Sequence, residues 1–162
     1  MAIFYLDTSA LVKRYRRETG TEVVDAIFSS PAPEGRFFIS SLCLLELTSA
    51  VWRLARGGAL SEATASQILA RFRQDVRDLI SVWPLDQEIV AAAVGVVEDH
   101  RLRSADAIHL ASALAIAGAE TAAPVVLVAS DRELLRAAER AGLPTIDPED
   151  PAAVQQLTRL RA

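Results

Sequence analysis

Four acids in this sequence stand where solubility does not require them. Asp7 ends the apolar run Ile3-Phe4-Tyr5-Leu6, and two hydroxyl residues, Thr8 and Ser9, follow at once. Glu46 interrupts an apolar stretch that runs from Leu42 to Val51. Asp106 opens a segment built mainly of Ala, Ile and Leu, and Asp131 follows the apolar run Val125 to Ala129. Carboxylates gathered in one place repel. Two unit charges ~5 Å apart cost roughly 3 kcal/mol at an effective dielectric of 20. A bound cation offsets that cost, and an oxygen-only ligand set selects Mg²⁺ or Mn²⁺ over zinc. Such an ion activates a water and clamps a phosphate, so the chemistry in view is phosphodiester hydrolysis.

Each acid also has a structural alternative. Asp7 and Asp131 precede helices and are good N-caps, although Thr8 or Ser9 would cap the first helix equally well. Asp106 suits the positive end of a helix dipole, with Ser104 available as the cap. An ionised Glu46 in a helix apolar on nearly every side needs a partner, and Arg53 is one candidate. His109, one turn after Asp106, reads as a satisfied buried histidine, and His100 as a helix-end residue. Cys43 reads as a small buried hydrophobe.

The elements that would position these residues alternate. Strands are expected at 2–6, 36–40, 80–84, 125–129 and 143–146, the last broken by Pro144. Helices are expected from Ser9 to Arg16, Thr21 to Phe28, Leu42 to Arg56, Ser61 to Leu79, Gln87 to His100 and Ala105 to Ala117, with another from Asp131 to Gly142. Asp86 caps the fifth, and Gly20, Gly57-Gly58 and Gly118 mark helix ends. Ser29 to Gly35, with two prolines and a glycine, reads as a loop. The tail from Asp147 is Pro-rich, then helical. Strands alternating with helices give an α/β fold with a mainly parallel sheet. An acid after a strand and before a helix lies at the carboxyl edge, where open α/β sheets bind ligands. The two helices between 41 and 79 are too long for a simple crossover, so a helical protrusion is expected.

The chain has 162 residues, a net charge of −4 and one cysteine, Cys43. That length makes one domain, and one cysteine excludes an internal disulfide or a Cys-based zinc site. No signal peptide or membrane span is read, so a soluble cytoplasmic protein is expected. Lys13 is the sole lysine, and Lys13, Arg14, Arg16 and Arg17 form a basic cluster, read as a solvated helix face or as phosphate contacts.

Four segments together resemble the PIN-domain family, of the VapC type found as the ribonuclease toxin of type II toxin–antitoxin systems. They are Tyr5 to Lys13, Ser41 to Leu47, Arg103-Ser104-Ala105-Asp106-Ala107-Ile108-His109-Leu110-Ala111, and Ala129-Ser130-Asp131-Arg132-Glu133-Leu134-Leu135. The resemblance implies a PIN-like three-layer α/β fold with a five-stranded sheet flanked by helices. Residues 1–147 would be the PIN domain, with 148–162 a C-terminal tail of the same domain or disordered. It also implies a Mg²⁺-dependent endoribonuclease (Mn²⁺ as a substitute) with an acidic quartet of Asp7, Glu46, Asp106 and Asp131. Asp7 and Asp106 would be direct ligands, with Thr8 and Ser9 supporting them. The family often has Ser or Thr two residues before the last acid; here that residue is Ala129, with Ser130 one later.

The implied partners are an RNA substrate, a small antitoxin protein and a second copy in a homodimer. Trp52 and Phe72 are candidate interface anchors, or ordinary core. Two other readings share the fold: a PIN ribonuclease with a housekeeping RNA-processing role, and a non-catalytic PIN-fold binding module. A phosphatase with Asp7 as nucleophile is disfavoured, because Ser9 stands where a second acid would be needed.

Overall fold

The computed structural model describes residues 2–29 and 36–161. The expected loop at 29–35 therefore lies, from residue 30 on, outside the described residues. Five strands form one sheet: β1 (Ile3–Leu6), β2 (Phe37–Ser40), β3 (Ile80–Trp83), β4 (Val125–Val128) and β5 (Thr145–Ile146). Their order is β3-β2-β1-β4-β5, and every pairing is parallel. The chain grows outward from β1 first to one side and then to the other. Between β1 and β4 the order reverses, which opens a crevice at the carboxyl ends of those strands.

Strand alternation sorts the two faces. Phe4, Leu6, Phe37, Ile39, Val126 and Val128 join one core cluster. Helices α1 (Thr8–Leu11), α2 (Thr21–Ser29), α3 (Ser41–Arg56) and α4 (Glu62–Asp78) contribute to it, as does α8 (Ala153–Arg161). Ile3, Tyr5, Phe38, Val125, Leu127 and Ala129 face the other cluster. There α5 (Gln87–His100), α6 (Ser104–Ala119) and α7 (Arg132–Arg140) close the third layer. The central strands are buried on both faces and so read as unbroken apolar runs.

Several local expectations need correction. The first helix is one α-turn that tightens into a short 3-10 helix at Val12–Arg14, so it stops short of Arg16. Its cap is Asp7 itself rather than Thr8 or Ser9. Helix α6 starts at Ser104 and runs through Gly118 to Ala119, and Arg103 holds its N-cap position without a side-chain bond. Helix α3 is one-faced rather than buried all round. Cys43, Leu47 and Val51, four apart, face the core, while Leu45 and Trp52 are exposed. Helices α3 and α4 join this core through Leu47, Val51, Leu69 and Phe72, while the turn between them, Gly57 to Ala59, is exposed. Phe72 is core, edge-on to Tyr15 with ring centroids 5.5 Å apart.

Half of the basic cluster is turned inward. Lys13 is 3% exposed and bonds Glu18 and Glu149, at 3.0 and 2.7 Å. Arg14 pairs with Asp75 at 2.7 Å and stacks over the Phe28 ring. Neither is free for phosphate. The Lys13–Glu149 pair ties the segment before α8 to the body of the domain. Gly20 permits the same closure. It sits at φ +89°, and a Cβ there would lie 2.7 Å from the Pro148 carbonyl oxygen. Among the described residues no helix is long and apolar enough to cross a membrane.

Candidate active site

The four predicted acids arrive at the carboxyl edge of the sheet from four different elements. Asp7 follows β1 and caps α1, accepting the Ala10 N–H at 2.9 Å. Glu46 lies on the second turn of α3, directly after β2. Asp106 is in the first turn of α6. Asp131 follows β4 and caps α7 through the Leu134 N–H, at 2.9 Å. Parallel strands end on the same edge, so β1, β2 and β4 deliver three of the acids together. Helix α6 brings the fourth.

Hydrogen bonds join the acids into two linked groups. The Ser9 hydroxyl donates to Asp7, 2.8 Å from both carboxylate oxygens, and accepts the Ser130 N–H at 3.0 Å. Ser9 thus stitches the end of β1 to the residue before Asp131. The Arg103 guanidinium reaches Asp106 at 3.3 Å and Asp131 at 3.5 Å, bridging these two acids. Separately, Glu46 Oε1 accepts the Thr8 hydroxyl at 2.7 Å and lies 2.7 Å from His109 Nε2. His109 Nδ1 in turn meets the Tyr5 hydroxyl at 2.8 Å. The alternative of a Glu46–Arg53 pair is absent among the described residues; Thr8 and His109 are the partners of Glu46.

His109 is the residue that sequence reasoning undervalued. It is buried and satisfied, as expected, but its partners make it the orienting group for Glu46. Burial pushes the Tyr5 hydroxyl well above its ordinary range, so it stays protonated. Tyr5 and Glu46 thus flank the imidazole, one at each ring nitrogen, and fix its orientation. The sequence offered only positions, with Tyr5 two residues before Asp7 and His109 one helical turn after Asp106, and not the pairing.

The acids are tuned apart. Asp7 is 4% exposed, and burial raises its carboxyl above the usual range, against the pull of His109 and the bonds from Ala10 and Ser9. Burial raises Asp106 as well, and the Asp131 charge adds to it, while Arg103 opposes. Burial also pushes Glu46 upward, but the His109 and Thr8 bonds outweigh it and hold the carboxyl below its ordinary value.

Cys43, Glu46 and His109 offer donor atoms within 4.8 Å of one another. Burial raises the Cys43 thiol far above its usual range, and the thiol sulfur accepts the Thr8 hydroxyl at 3.3 Å. This trio is a hydrogen-bonded knot rather than a metal centre as it stands. The four carboxylates are the better donor set. They supply oxygen only, they follow elements that end at one edge of the sheet, and Asp7 has no salt-bridge partner among the described residues, although no three of the four come within 4.8 Å of one another.

A PIN domain pattern matches residues 4–140 of the sequence. The chain belongs to the PIN domain family. It is 31% identical over 147 residues to Ribonuclease VapC35 of Mycobacterium tuberculosis, covering 90% of this chain and 97% of that protein. Among solved structures it is similar to FitAcB from Neisseria gonorrhoeae, with a TM-score of 0.67 at 19% identity, covering 90% of this chain and 98% of that one. A toxin–antitoxin complex from Klebsiella pneumoniae matches with a TM-score of 0.60 at 17% identity, over 91% and 98% of the two chains. At these identities the two structures establish the PIN fold, which agrees with the five-stranded parallel sheet between two helical layers.

Proposed function

We propose that this chain is a Mg²⁺-dependent endoribonuclease that serves as the toxin of a toxin–antitoxin pair. The observation that carries this reading is the convergence of Asp7, Glu46, Asp106 and Asp131 on the switch-point edge of the sheet in a PIN-family chain. The name of the relative, Ribonuclease VapC35, and the toxin–antitoxin complex among the structural neighbours support it. The unit is residues 1–147 as the PIN domain, with 148–162 as its C-terminal tail, and its compartment is the cytoplasm.

Asp7 and Asp106 would hold the ion directly, and Glu46 and Asp131 would complete its shell or bind through water. Mg²⁺ fits the donor set, with Mn²⁺ as a substitute. Bound there, the ion would supply an activated water and positive charge beside the scissile phosphate. Around it the chain's own groups have defined tasks. Ser9 and the Ala10 N–H fix the Asp7 carboxylate. His109 and Thr8 hold Glu46 ionised and aimed, which suits it to bind the ion or a water of its shell. The partners are an RNA substrate, a small antitoxin protein and a second copy in a homodimer. Leu45 and Trp52, exposed on α3, offer an apolar surface for such a contact.

The test is cleavage of total RNA by purified, antitoxin-free protein, with Mg²⁺ or Mn²⁺ and with excess EDTA, beside Asp106→Asn. Metal-dependent cleavage lost in the variant is the expected result. Cleavage that persists in EDTA, or in Asp106→Asn, overturns the assignment.

A further inference from the structure

We propose that Arg103 exchanges between two partners: it bridges Asp106 and Asp131 when the site holds no ion, and it contacts a phosphate of the RNA once the ion takes those acids. This rests on the nuclease reading above. Its basis is the placement of one side chain. The Arg103 guanidinium spans two carboxylates from different elements, through Nε to Asp106 at 3.3 Å and through a terminal nitrogen to Asp131 at 3.5 Å. It is therefore a cation standing between two of the four acids that a divalent ion would use.

The bridge is built to open. The Arg103 side chain is 76% exposed, while those of Asp106 and Asp131 are 13% and 30% exposed. Both contacts are long for charge-assisted bonds, which lie near 2.7–2.9 Å when tight. A solvent-exposed pair of this kind is worth little, so a divalent ion displaces it readily. The acids remain near one another because α6 and α7 fix them, and without a cation between them they repel. Arg103 answers that repulsion in the free protein.

Its backbone keeps the freed guanidinium at the site. Arg103 is the N-cap residue of α6, three residues before Asp106, and it makes no cap bond that would compete for its side chain. Released from the carboxylates, the planar fork has no other anionic partner among the described residues. A phosphate bound at the same edge supplies one, in the bidentate geometry that Arg favours. A residue meant only to neutralise two acids could be a lysine. The fork suits both the carboxylate pair and the phosphate that follows it.

The experiment compares wild type, Arg103→Gln and Arg103→Lys in two measurements. The first is the rise in melting temperature with Mn²⁺, without RNA. Removing the competing cation is expected to tighten Mn²⁺ binding in the Gln variant by about two- to fivefold, the range of a weak surface pair, with Lys between. The second is KM for a single-stranded RNA as salt is varied. Loss of one phosphate contact lowers the salt slope by about 0.7, equivalent to about fivefold weaker binding at ~0.1 M salt relative to ~1 M. The expected pattern is tighter metal and weaker RNA in the same variant. Unchanged or weaker Mn²⁺ binding in Arg103→Gln overturns the exchange and leaves the nuclease reading standing. Tighter Mn²⁺ with unchanged KM and slope overturns the phosphate contact. A wild type whose melting ignores Mn²⁺ overturns the metal reading and this inference together.

Discussion

Replacing Asp7 by Asn and by Ala separates its charge from its role as a cap. Both oxygens of Asp7 are used: the Ala10 N–H and the Ser9 hydroxyl donate to it within 2.9 Å. Asn keeps a side-chain oxygen for the cap and ranks with Asp at that position. Ala removes the cap, worth about 1 kcal/mol, and strands donors in a buried site at about 1–3 kcal/mol. Allowing for overlap, Asp7→Ala should be about 2–3 kcal/mol less stable than Asp7→Asn. At 2–4 °C per kcal/mol for a chain of this size, that is a gap of about 4–12 °C.

The charge itself acts the other way. Burial raises the folded-state pKa of Asp7 above its unfolded value. Between those two values the folded protein binds more protons than the unfolded chain, so stability falls as pH rises through the folded pKa. Asp7→Asn should thus melt above wild type at about pH 7 in EDTA, with the difference shrinking as pH falls toward the unfolded value of about 4. Mg²⁺ at about 100 times its Kd should then stabilise wild type by about 2.7 kcal/mol and leave Asp7→Asn unmoved. Melting by circular dichroism across pH, with and without Mg²⁺, reads all of this. An Asn variant that melts as low as Ala, or a difference that does not change with pH, would refute the claim that the buried charge is a cost.

Three further outcomes follow from the same contacts. His109→Gln should lower cleavage by about 10- to 100-fold, the range for groups that orient a ligating side chain; an unchanged rate would show that Glu46 needs no orienting partner. Gly20→Ala should cost about 3 kcal/mol, from its positive φ and the contact with Pro148, and lower the melting temperature by about 6–12 °C. Asp75→Ala removes the shared acceptor of Arg14 and Tyr15 and leaves a half-buried guanidinium unpaired, at a cost of about 3 kcal/mol in urea unfolding.

The fold was legible because burial writes itself into the strands. Val125 to Val128 and Ile3 to Leu6 are apolar at every position, as parallel strands between two helical layers must be. The acids after β1 and β4 were legible for the same reason, since a charge directly after such a run marks the edge. The caps were harder to read. Asp7, Thr8 and Ser9 are all competent, and only tertiary contacts decide: Thr8 is engaged by Glu46 and Ser9 by Asp7 and Ser130, which leaves Asp7 as the cap. Lys13 and Arg14 looked like surface because their partners, Glu149 and Asp75, lie far along the chain. Local sequence contains no signal for such pairs.

The same blind spot explains His109. A lone histidine on an apolar helix face is satisfied by something, and the chain alone does not name the partner. Here the partners are a strand tyrosine 104 residues away and a glutamate 63 residues away. The consequence is electrostatic. Two of the four acids, Asp7 and Asp106, are held above their usual range by burial, while Glu46 is held below its own by donors that the fold brings to it. Acids that resist ionisation gain most from a cation, whereas an acid held below its usual range is a weak base that keeps its charge. Which carboxylate stays ionised is therefore set by the donors the fold brings to it, and for Glu46 those donors are Thr8 and His109 rather than the other acids.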